Sequence, residues 1–204
     1  MIDYETLKSD LRTYYDQDAL RRAGEDKAAW KIAERAHFLE SLRAAGHSRL
    51  LEVGAGTGDD SLFFQSQGLS VTATDLSPVM VAICRDKGVD AREMDFLSLD
   101  FDDGTFDAIY ALNCLLHVPT EHFADVLANL RRLLIPEGLF YLGMYGGIDE
   151  TRMRPGPFGE RYFVSWSETS LVRALEGHFN VDYYRRVALD SDRLAFHSLI
   201  LRRL

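Results

Sequence analysis

The sequence predicts an open, doubly wound α/β sheet of seven strands with helices on both faces. Short apolar runs alternate with stretches of helical periodicity through the middle of the chain, which is typical of βαβ units and a parallel sheet. One of these runs, residues 50–53, leads directly into Gly54-Ala55-Gly56-Thr57-Gly58, the glycine turn. A glycine turn between a strand and a helix is where sheets of this class bind nucleotides.

Two helices are predicted before the sheet begins. Apolar residues recur at helical spacing over residues 3–45, with Gly24 separating the two helices. Their apolar faces are Leu7, Leu11, Tyr14 and Tyr15 in the first helix and Ala29, Ile32, Ala33, Ala36, Leu39 and Leu42 in the second.

The alternating elements follow in order. Strands are predicted at residues 49–53, 69–74, 89–94, 106–111 and 138–144, and helices at 58–67, 78–87 and 120–134. Residues 146–164 are rich in Gly, Pro and Arg, which indicates a loop. A helix at 167–177 and strands at 179–187 and 193–202 complete the sheet, with an antiparallel C-terminal strand.

Length and charge limit the classes of function. The 204 residues suit one domain, with a helical cap at 1–46, a ligand-binding core at 48–145, and a lid loop with C-terminal strands at 146–204. The formal net charge of −9 argues against a nucleic-acid partner. No apolar run reaches the roughly 18 residues of a membrane span, so we expect no membrane association and a cytoplasmic location. Cys84 and Cys114 lack metal-ligand spacing, which predicts reduced cysteines and no metal.

The residues around the glycine turn indicate which ligand it binds. A dinucleotide pattern requires glycine at position 59, which is Asp59 here, and Glu52 precedes the turn by two residues. Both carboxylates would repel a pyrophosphate, so the ligand is expected to be neutral or cationic near the turn. The alternative is a glycine turn of purely structural use.

The pattern Glu-x-Gly-x-Gly-x-Gly resembles motif I of the class I S-adenosylmethionine (SAM)-dependent methyltransferases, and motifs over residues 48–145 extend the resemblance. The resemblance implies a Rossmann-like fold, SAM as cofactor with S-adenosylhomocysteine (SAH) as product, and methyl transfer to O, N or C of a small-molecule acceptor. The oligomeric state does not follow from it. The cofactor residues expected at the turn are Glu52, Gly54, Ala55, Gly56 and Gly58.

Acids after the next two strands are candidates for the adenosine end. Asp75 can accept two hydrogen bonds from ribose hydroxyls. Ser77-Pro78 supplies the cap and first turn of the next helix, so Asp75 is not needed as a cap and is free to bind a ligand. Leu76 and Met80 are candidates for packing on adenine, with core packing as the alternative. The resemblance implies that Asp95 binds the adenine amino group and that Phe96 lines the ring. An acid that caps its own turn is the alternative for Asp95.

The resemblance further implies that Asn113 lies beside the methionine part of SAM. His117, in the same segment, is a candidate general base. Packing beside the cofactor is the alternative for His117. Similar enzymes also suggest that Tyr14 or Tyr15 closes over the methionine end and that Arg35 meets its carboxylate. An amphipathic helix more often buries such aromatic residues in the core.

Two other functions stay open. One is a non-catalytic SAM- or SAH-binding regulatory protein, and the other is an NAD-dependent oxidoreductase, which Asp59 disfavours. The predicted loop contains Arg152, Arg154 and Arg161. These arginines either bind the methyl acceptor or are exposed to solvent.

Overall fold

The computed structural model describes residues 3–189 and 194–204. In chain order the helices are α1 (Tyr4–Arg22), α2 (Ala29–Ala45), α3 (Asp59–Ser66), α4 (Pro78–Asp86), α5 (Thr120–Leu133) and α6 (Glu168–Leu175). The strands are β1 (Arg49–Val53), β2 (Ser70–Asp75), β3 (Asp90–Glu93), β4 (Phe106–Leu112), β5 (Leu134–Gly146), β6 (Glu150–Gly156), β7 (Gly159–Ser165), β8 (Phe179–Ala188) and β9 (Ala195–Arg203). The predicted last strand began at Arg193, which lies outside the described residues.

Seven strands form one sheet in the order β3-β2-β1-β4-β5-β9-β8. Strands β1 to β5 pair in parallel, and β9 runs antiparallel between β5 and β8. The predicted fold class is therefore confirmed. The chain order reverses direction at β1, whose neighbours are β2 and β4. Sheets of this class open a crevice at such a switch point, at the carboxyl ends of the strands.

Helices cover both faces of the sheet because successive strand residues point to opposite sides. In β1, Leu50 packs in a cluster with Phe38 of α2 and Phe64 of α3. Its neighbour Leu51 packs in a second cluster with α5 and α6, and all these residues are buried. The rings of Tyr110 and Tyr141, on β4 and β5, stack with centroids 4.8 Å apart beside Phe38. This packing holds the carboxyl ends of the central strands in a fixed arrangement.

The predicted apolar face of α2 was partly wrong. Its buried residues are Glu34, Phe38, Leu39 and Leu42, whereas Ala29, Ala33 and Ala36 are exposed and Ile32 is 45% exposed. Alanine side chains contribute little area, so the larger Phe38 decides which face turns to the sheet. The carboxylate of Glu34 tolerates burial because it accepts hydrogen bonds from Ser198 Oγ at 2.6 Å and Arg185 Nη1 at 2.7 Å.

The predicted loop at 146–164 was also wrong, since most of it is an antiparallel hairpin of β6 and β7. Gly156 pairs with Gly159 across the tip of the hairpin. Tyr162 and Val164 alternate toward one side and pack against Leu7 and Leu11 of α1. The Gly and Pro residues obscured this two-residue period. As a result α1 and the hairpin form one layer over the edge of the sheet. No helix in the described ranges combines the length and the apolarity that a bilayer span requires.

Candidate active site

A cavity of about 410 Å³ opens at the carboxyl ends of β1, β2, β4 and β5, a size typical of small-molecule sites. Helix α1 and the segment that leads into α2 cover it. It is lined by Leu11, Tyr15, Arg22, Glu25, Asp26, Lys27, Ala28, Lys31, Glu52, Gly54, Ala55, Gly56, Thr57, Asp59, Asp60, Asp75, Leu76, Met80, Phe96, Leu112, Asn113, Cys114, His117 and Tyr145. Most of the sequence-predicted residues therefore meet in one place.

The three glycines of the glycine turn differ in what requires them. A Cβ on Gly54 would lie 2.3 Å from Cys114 Cβ, and one on Gly58 would lie 2.9 Å from Cys84 Sγ. A Cβ on Gly56, with φ of 56°, would meet no heavy atom of the described chain within 4 Å. Only Gly56 therefore presents bare backbone to open space. Gly54 lines the cavity, but Cys114 is what leaves no room for a side chain there. Gly58 lies outside the cavity lining, whereas the sequence predicts that all three glycines contact the cofactor.

Asp75 is held at the end of β2 by two backbone groups. Its Oδ2 accepts the N–H of Gly56 at 2.8 Å and its Oδ1 accepts the N–H of Ser77 at 2.9 Å. The predicted cap of α4 is present, because Ser77 Oγ accepts the N–H of Met80 at 3.1 Å. Burial raises the pKa of Asp75, and the two backbone N–H groups oppose that effect. Each carboxylate oxygen can accept a second hydrogen bond, so Asp75 can still bind a ligand hydroxyl.

The side of the cavity next to Asp75 is apolar, and Leu76, Met80 and Phe96 line it. Asp95 does not line this cavity, although it borders a neighbouring one of about 30 Å³. Its carboxylate accepts hydrogen bonds from Tyr4 Oη and Lys8 Nζ, each at 2.9 Å, and from the N–H of Leu97 at 3.0 Å. Asp95 thus caps its own turn and fastens α1, which differs from the adenine contact that the resemblance implied.

Glu52 is a buried acid on the floor of the cavity, 3% exposed at the end of β1. It accepts a hydrogen bond from the hydroxyl of Ser61. Burial, and then the charge of Asp60, raise the pKa of Glu52 to about 8. Asp60 itself is paired with Lys27 and with Arg35, whose Nη1 lies 2.7 Å from Asp60 Oδ1. Glu52 therefore holds its proton in most molecules near pH 7, and a cationic ligand group beside it would favour the ionised form.

Tyr14 and Arg35 lie outside the cavity lining, which differs from the expected placement. Arg35 lies over the Phe63 ring at 3.8 Å in addition to its bond with Asp60. Tyr14 is 2% exposed and packs edge-on against Phe158 of the hairpin. Adjacent residues of a helix point about 100° apart, so Tyr15 lines the cavity where Tyr14 does not.

His117 connects three elements at the rim of the cavity. It ends a short 3₁₀ turn (Leu115–His117). Its Nδ1 lies 2.7 Å from the carbonyl oxygen of Tyr162 in β7, and its Nε2 lies 2.6 Å from Tyr15 Oη in α1. A carbonyl oxygen only accepts, so Nδ1 carries the proton and Nε2 accepts from Tyr15. Burial lowers the pKa of His117 to about 4. His117 is therefore neutral near pH 7, and both His117 and Tyr15 line the cavity.

Asn113 follows β4 in a left-handed conformation, with φ of 57°, which is uncommon outside glycine. Its N–H donates to the carbonyl oxygen of Gly143 at 2.7 Å. Its side-chain Oδ1 is buried and finds no hydrogen-bond partner among the residues that the structure describes. Because a buried acceptor without a donor is costly, this atom indicates a ligand donor at the cavity wall.

Several lining residues have no signal in the sequence. Arg22, Lys27 and Lys31 come from the end of α1, the link, and the start of α2, and Tyr145 comes from the end of β5. Charged residues near a helix end are ordinary surface features in a sequence. Only the fold directs these side chains toward the same cavity.

Residues 50–138 match a family model described as a methyltransferase domain. The chain is 32% identical over 102 residues to an uncharacterized methyltransferase of Staphylococcus carnosus, covering 50% of this chain and 49% of the relative. It is 37% identical over 101 residues to the demethylmenaquinone methyltransferase of Thermus thermophilus, covering 44% of each chain. The chain thus spans less than half the length of the curated relatives it matches.

The structure of the Burkholderia thailandensis 1,6-didemethyltoxoflavin-N1-methyltransferase, solved with 1,6-didemethyltoxoflavin and S-adenosylhomocysteine, superposes with a TM-score of 0.76. The match covers 100% of this chain and 91% of that chain at 23% identity, which is a likeness of fold. The matched residues include the glycine turn, Asp75 and Asn113. Residues 50–138 therefore match a methyltransferase domain by sequence, and the chain shares the fold of solved SAM-dependent methyltransferases.

Proposed function

We propose that the protein is an S-adenosylmethionine-dependent methyltransferase that transfers a methyl group to O, N or C of a small molecule by direct displacement. The observation that carries the proposal is the pairing of Gly56 with Asp75. An open backbone position and a carboxylate lie side by side at the switch point of the sheet, joined by a 2.8 Å hydrogen bond. A ribose can contact both.

The remaining lining fits the rest of this cofactor. Leu76, Met80 and Phe96 offer an apolar slot to the adenine ring beside Asp75. Glu52, and the Oδ1 of Asn113, which has no hydrogen-bond partner within residues 3–189 and 194–204, offer acceptors to the cationic methionine end. The carboxylates of Asp59 and Asp75, which also line the cavity, disfavour the pyrophosphate of a dinucleotide. We therefore assign Glu52, Gly54, Ala55 and Gly56 of the turn, with Asp75, Leu76, Met80, Phe96 and Asn113, to cofactor binding.

When bound, SAM supplies an electrophilic methyl group on a sulfonium that leaves as a neutral thioether. The chain then has to bind the acceptor, align it and exclude water, and alignment of this kind can contribute about 7–11 kcal/mol. Helix α1 and the hairpin close the cavity through Tyr15 and His117. The hydroxyl of Tyr15 donates its hydrogen bond to His117 Nε2. Its oxygen is therefore free to accept a hydrogen bond from the molecule that receives the methyl group.

The acceptor that fits this enclosure is a small molecule. The cover over the cavity and the net charge of −9 both disfavour a nucleic acid. We propose that residues 1–46, 48–145 and 146–204 act as one unit, in which the first and last segments cover and bind the acceptor and the middle one binds the cofactor.

Calorimetric titration with SAM, SAH and NADH tests the proposal. We expect micromolar binding of SAM and SAH, because the cavity offers a ribose site without a pyrophosphate site, and no binding of NADH. Binding of NADH alone would replace the proposal with an oxidoreductase. Binding of SAM without turnover in a broad acceptor screen would favour a regulatory protein.

A further inference from the structure

The ammonium group of Lys31 lies among three aromatic rings at one end of the cavity. Its Nζ is 4.8 Å from the ring centroid of Tyr145, 5.3 Å from that of Trp30 and 5.7 Å from that of Phe196. The rings also contact one another, with Trp30 and Phe196 centroids 4.6 Å apart. Aromatic faces attract a cation, so the three rings fix the position of this charge.

Lys31 differs from the other three lysines of the chain in its ion pairs. Lys8, Lys27 and Lys87 each contact a carboxylate within 4.0 Å. Within residues 3–189 and 194–204, Lys31 contacts none. The cavity is otherwise rich in acids, yet Asp60 takes Lys27 and Arg35 instead. A half-buried cation that lines a cavity without a counter-charge favours an anionic ligand group.

The position of Lys31 in the sheet indicates which ligand carries that group. Its aromatic neighbours Tyr145 and Phe196 belong to β5 and β9, whereas the glycine turn follows β1 and Asp75 ends β2. Strands β5 and β9 are two and three positions from β1 in the sheet, or about 10–14 Å at the usual strand spacing. The cofactor proposed above lies over β2, β1 and β4. Lys31 is therefore on the acceptor side.

We propose that Lys31 binds a carboxylate on the methyl acceptor, whose apolar, ring-sized body lies against Tyr145 and Leu112. The inference rests on the proposed function, because it takes the β1 and β2 side of the cavity as the cofactor site. The charge selects an anionic acceptor, and the rings of the Lys31 site select one with a flat apolar body.

The test uses two probes of nearly the same shape, the anion 4-hydroxybenzoate and the neutral 4-hydroxybenzamide. Each is titrated calorimetrically into the full chain saturated with SAH, and again without SAH. We expect the carboxylate to bind at least tenfold more tightly than the amide. Lys31→Gln should remove that preference, and Lys31→Arg should keep most of it. Arg43→Gln is the matched control, because it removes a charge from the same helix at a residue bonded to Gln67.

The outcomes separate the two proposals. Equal affinity for both probes, or an unchanged preference in Lys31→Gln, overturns the assignment of Lys31. If Lys31→Gln instead weakens SAH by tenfold while Arg43→Gln does not, the anion belongs to the cofactor and the assignment to the acceptor is wrong. If SAH does not bind but the Lys31-dependent preference is seen without it, the proposed function fails and the anion site stands.

Discussion

The phenolic oxygen of Tyr15 donates its proton to Nε2 of His117 across 2.6 Å. Both nitrogens of the imidazole are therefore occupied, Nε2 by this hydroxyl and Nδ1 by the carbonyl oxygen of Tyr162. This relationship joins α1 to the turn after β4, and the second nitrogen of His117 joins both to the hairpin. The sequence leaves His117 as either a general base or a packing residue. Because Nε2 of His117 is bonded to Tyr15, either role has to be tested on both side chains.

Tyr15→Phe tests how much the hydrogen bond between Tyr15 and His117 contributes to the free energy of unfolding. The change leaves Nε2 of a buried imidazole without its donor, so we expect a loss of about 1–3 kcal/mol in the free energy of unfolding. The neighbouring Tyr14→Phe is the matched control, since Tyr14 Oη has no hydrogen-bond partner in the described residues. Its effect should stay within about 0.5 kcal/mol. Urea unfolding of both variants measures the difference, and equal losses would contradict the assigned bond.

His117 should make the fold sensitive to acid. Its pKa is about 4 in the folded protein, below the ordinary value of about 6.5, so the unfolded chain binds the proton first. This contribution is constant above about pH 6.5 and is lost as the pH falls toward 4, by up to about 3 kcal/mol. Urea unfolding from pH 7.5 to 4.5 should show a shallower decline for His117→Gln than for wild type. Parallel declines would mean that His117 titrates normally.

Substitutions at two glycines of the turn should fail differently. Gly56→Val places a side chain where a Cβ meets only open space, although it strains a backbone position with φ of 56°. We therefore expect a folded, somewhat less stable protein that no longer binds SAH. Gly54→Ala places its Cβ 2.3 Å from Cys114 Cβ, so we expect a loss of stability of roughly 1–3 kcal/mol. Thermal melting and SAH titration of each variant separate the two effects. Wild-type SAH affinity in Gly56→Val would remove the turn from the cofactor site.

Asp75→Ala should weaken SAM and SAH by at least tenfold, because a charged acceptor for the ribose hydroxyls is lost. Asp90→Ala is the control, an exposed acid on the neighbouring strand β3 that contacts Thr72 and Arg92. Calorimetry measures both affinities, and an unchanged value for Asp75→Ala would exclude the ribose assignment.

The sequence predicts the sheet better than the cover of the site. The predicted strand at 49–53 coincides with Arg49–Val53, because a buried strand needs only a local apolar run. The hairpin was missed because Tyr162 and Val164 reveal their two-residue period only once Leu7 and Leu11 are known to face them. Patterns within one segment are readable, whereas contacts between distant segments are not.

The same limit applies to the site. Gly56 and Asp75 line the cavity, and the sequence predicts this placement because a strand end and its turn carry a local signature. The sequence does not distinguish Tyr14 from Tyr15, because both are tyrosines at adjacent positions of one helix. Only the rotation of α1 about its axis decides that Tyr15 lines the cavity. Lys31 needs Tyr145 and Phe196, more than 110 residues away in the sequence, to become a site.

The bond between Asp75 and the N–H of Gly56 has a consequence for redesign. The carboxylate proposed to select the ligand also shapes the main chain on which that ligand would lie. Specificity and loop conformation are thus encoded by one side chain. A replacement chosen to admit a different nucleotide would distort the turn unless it restored an acceptor for that N–H. New cofactor preferences at this position should therefore require paired changes.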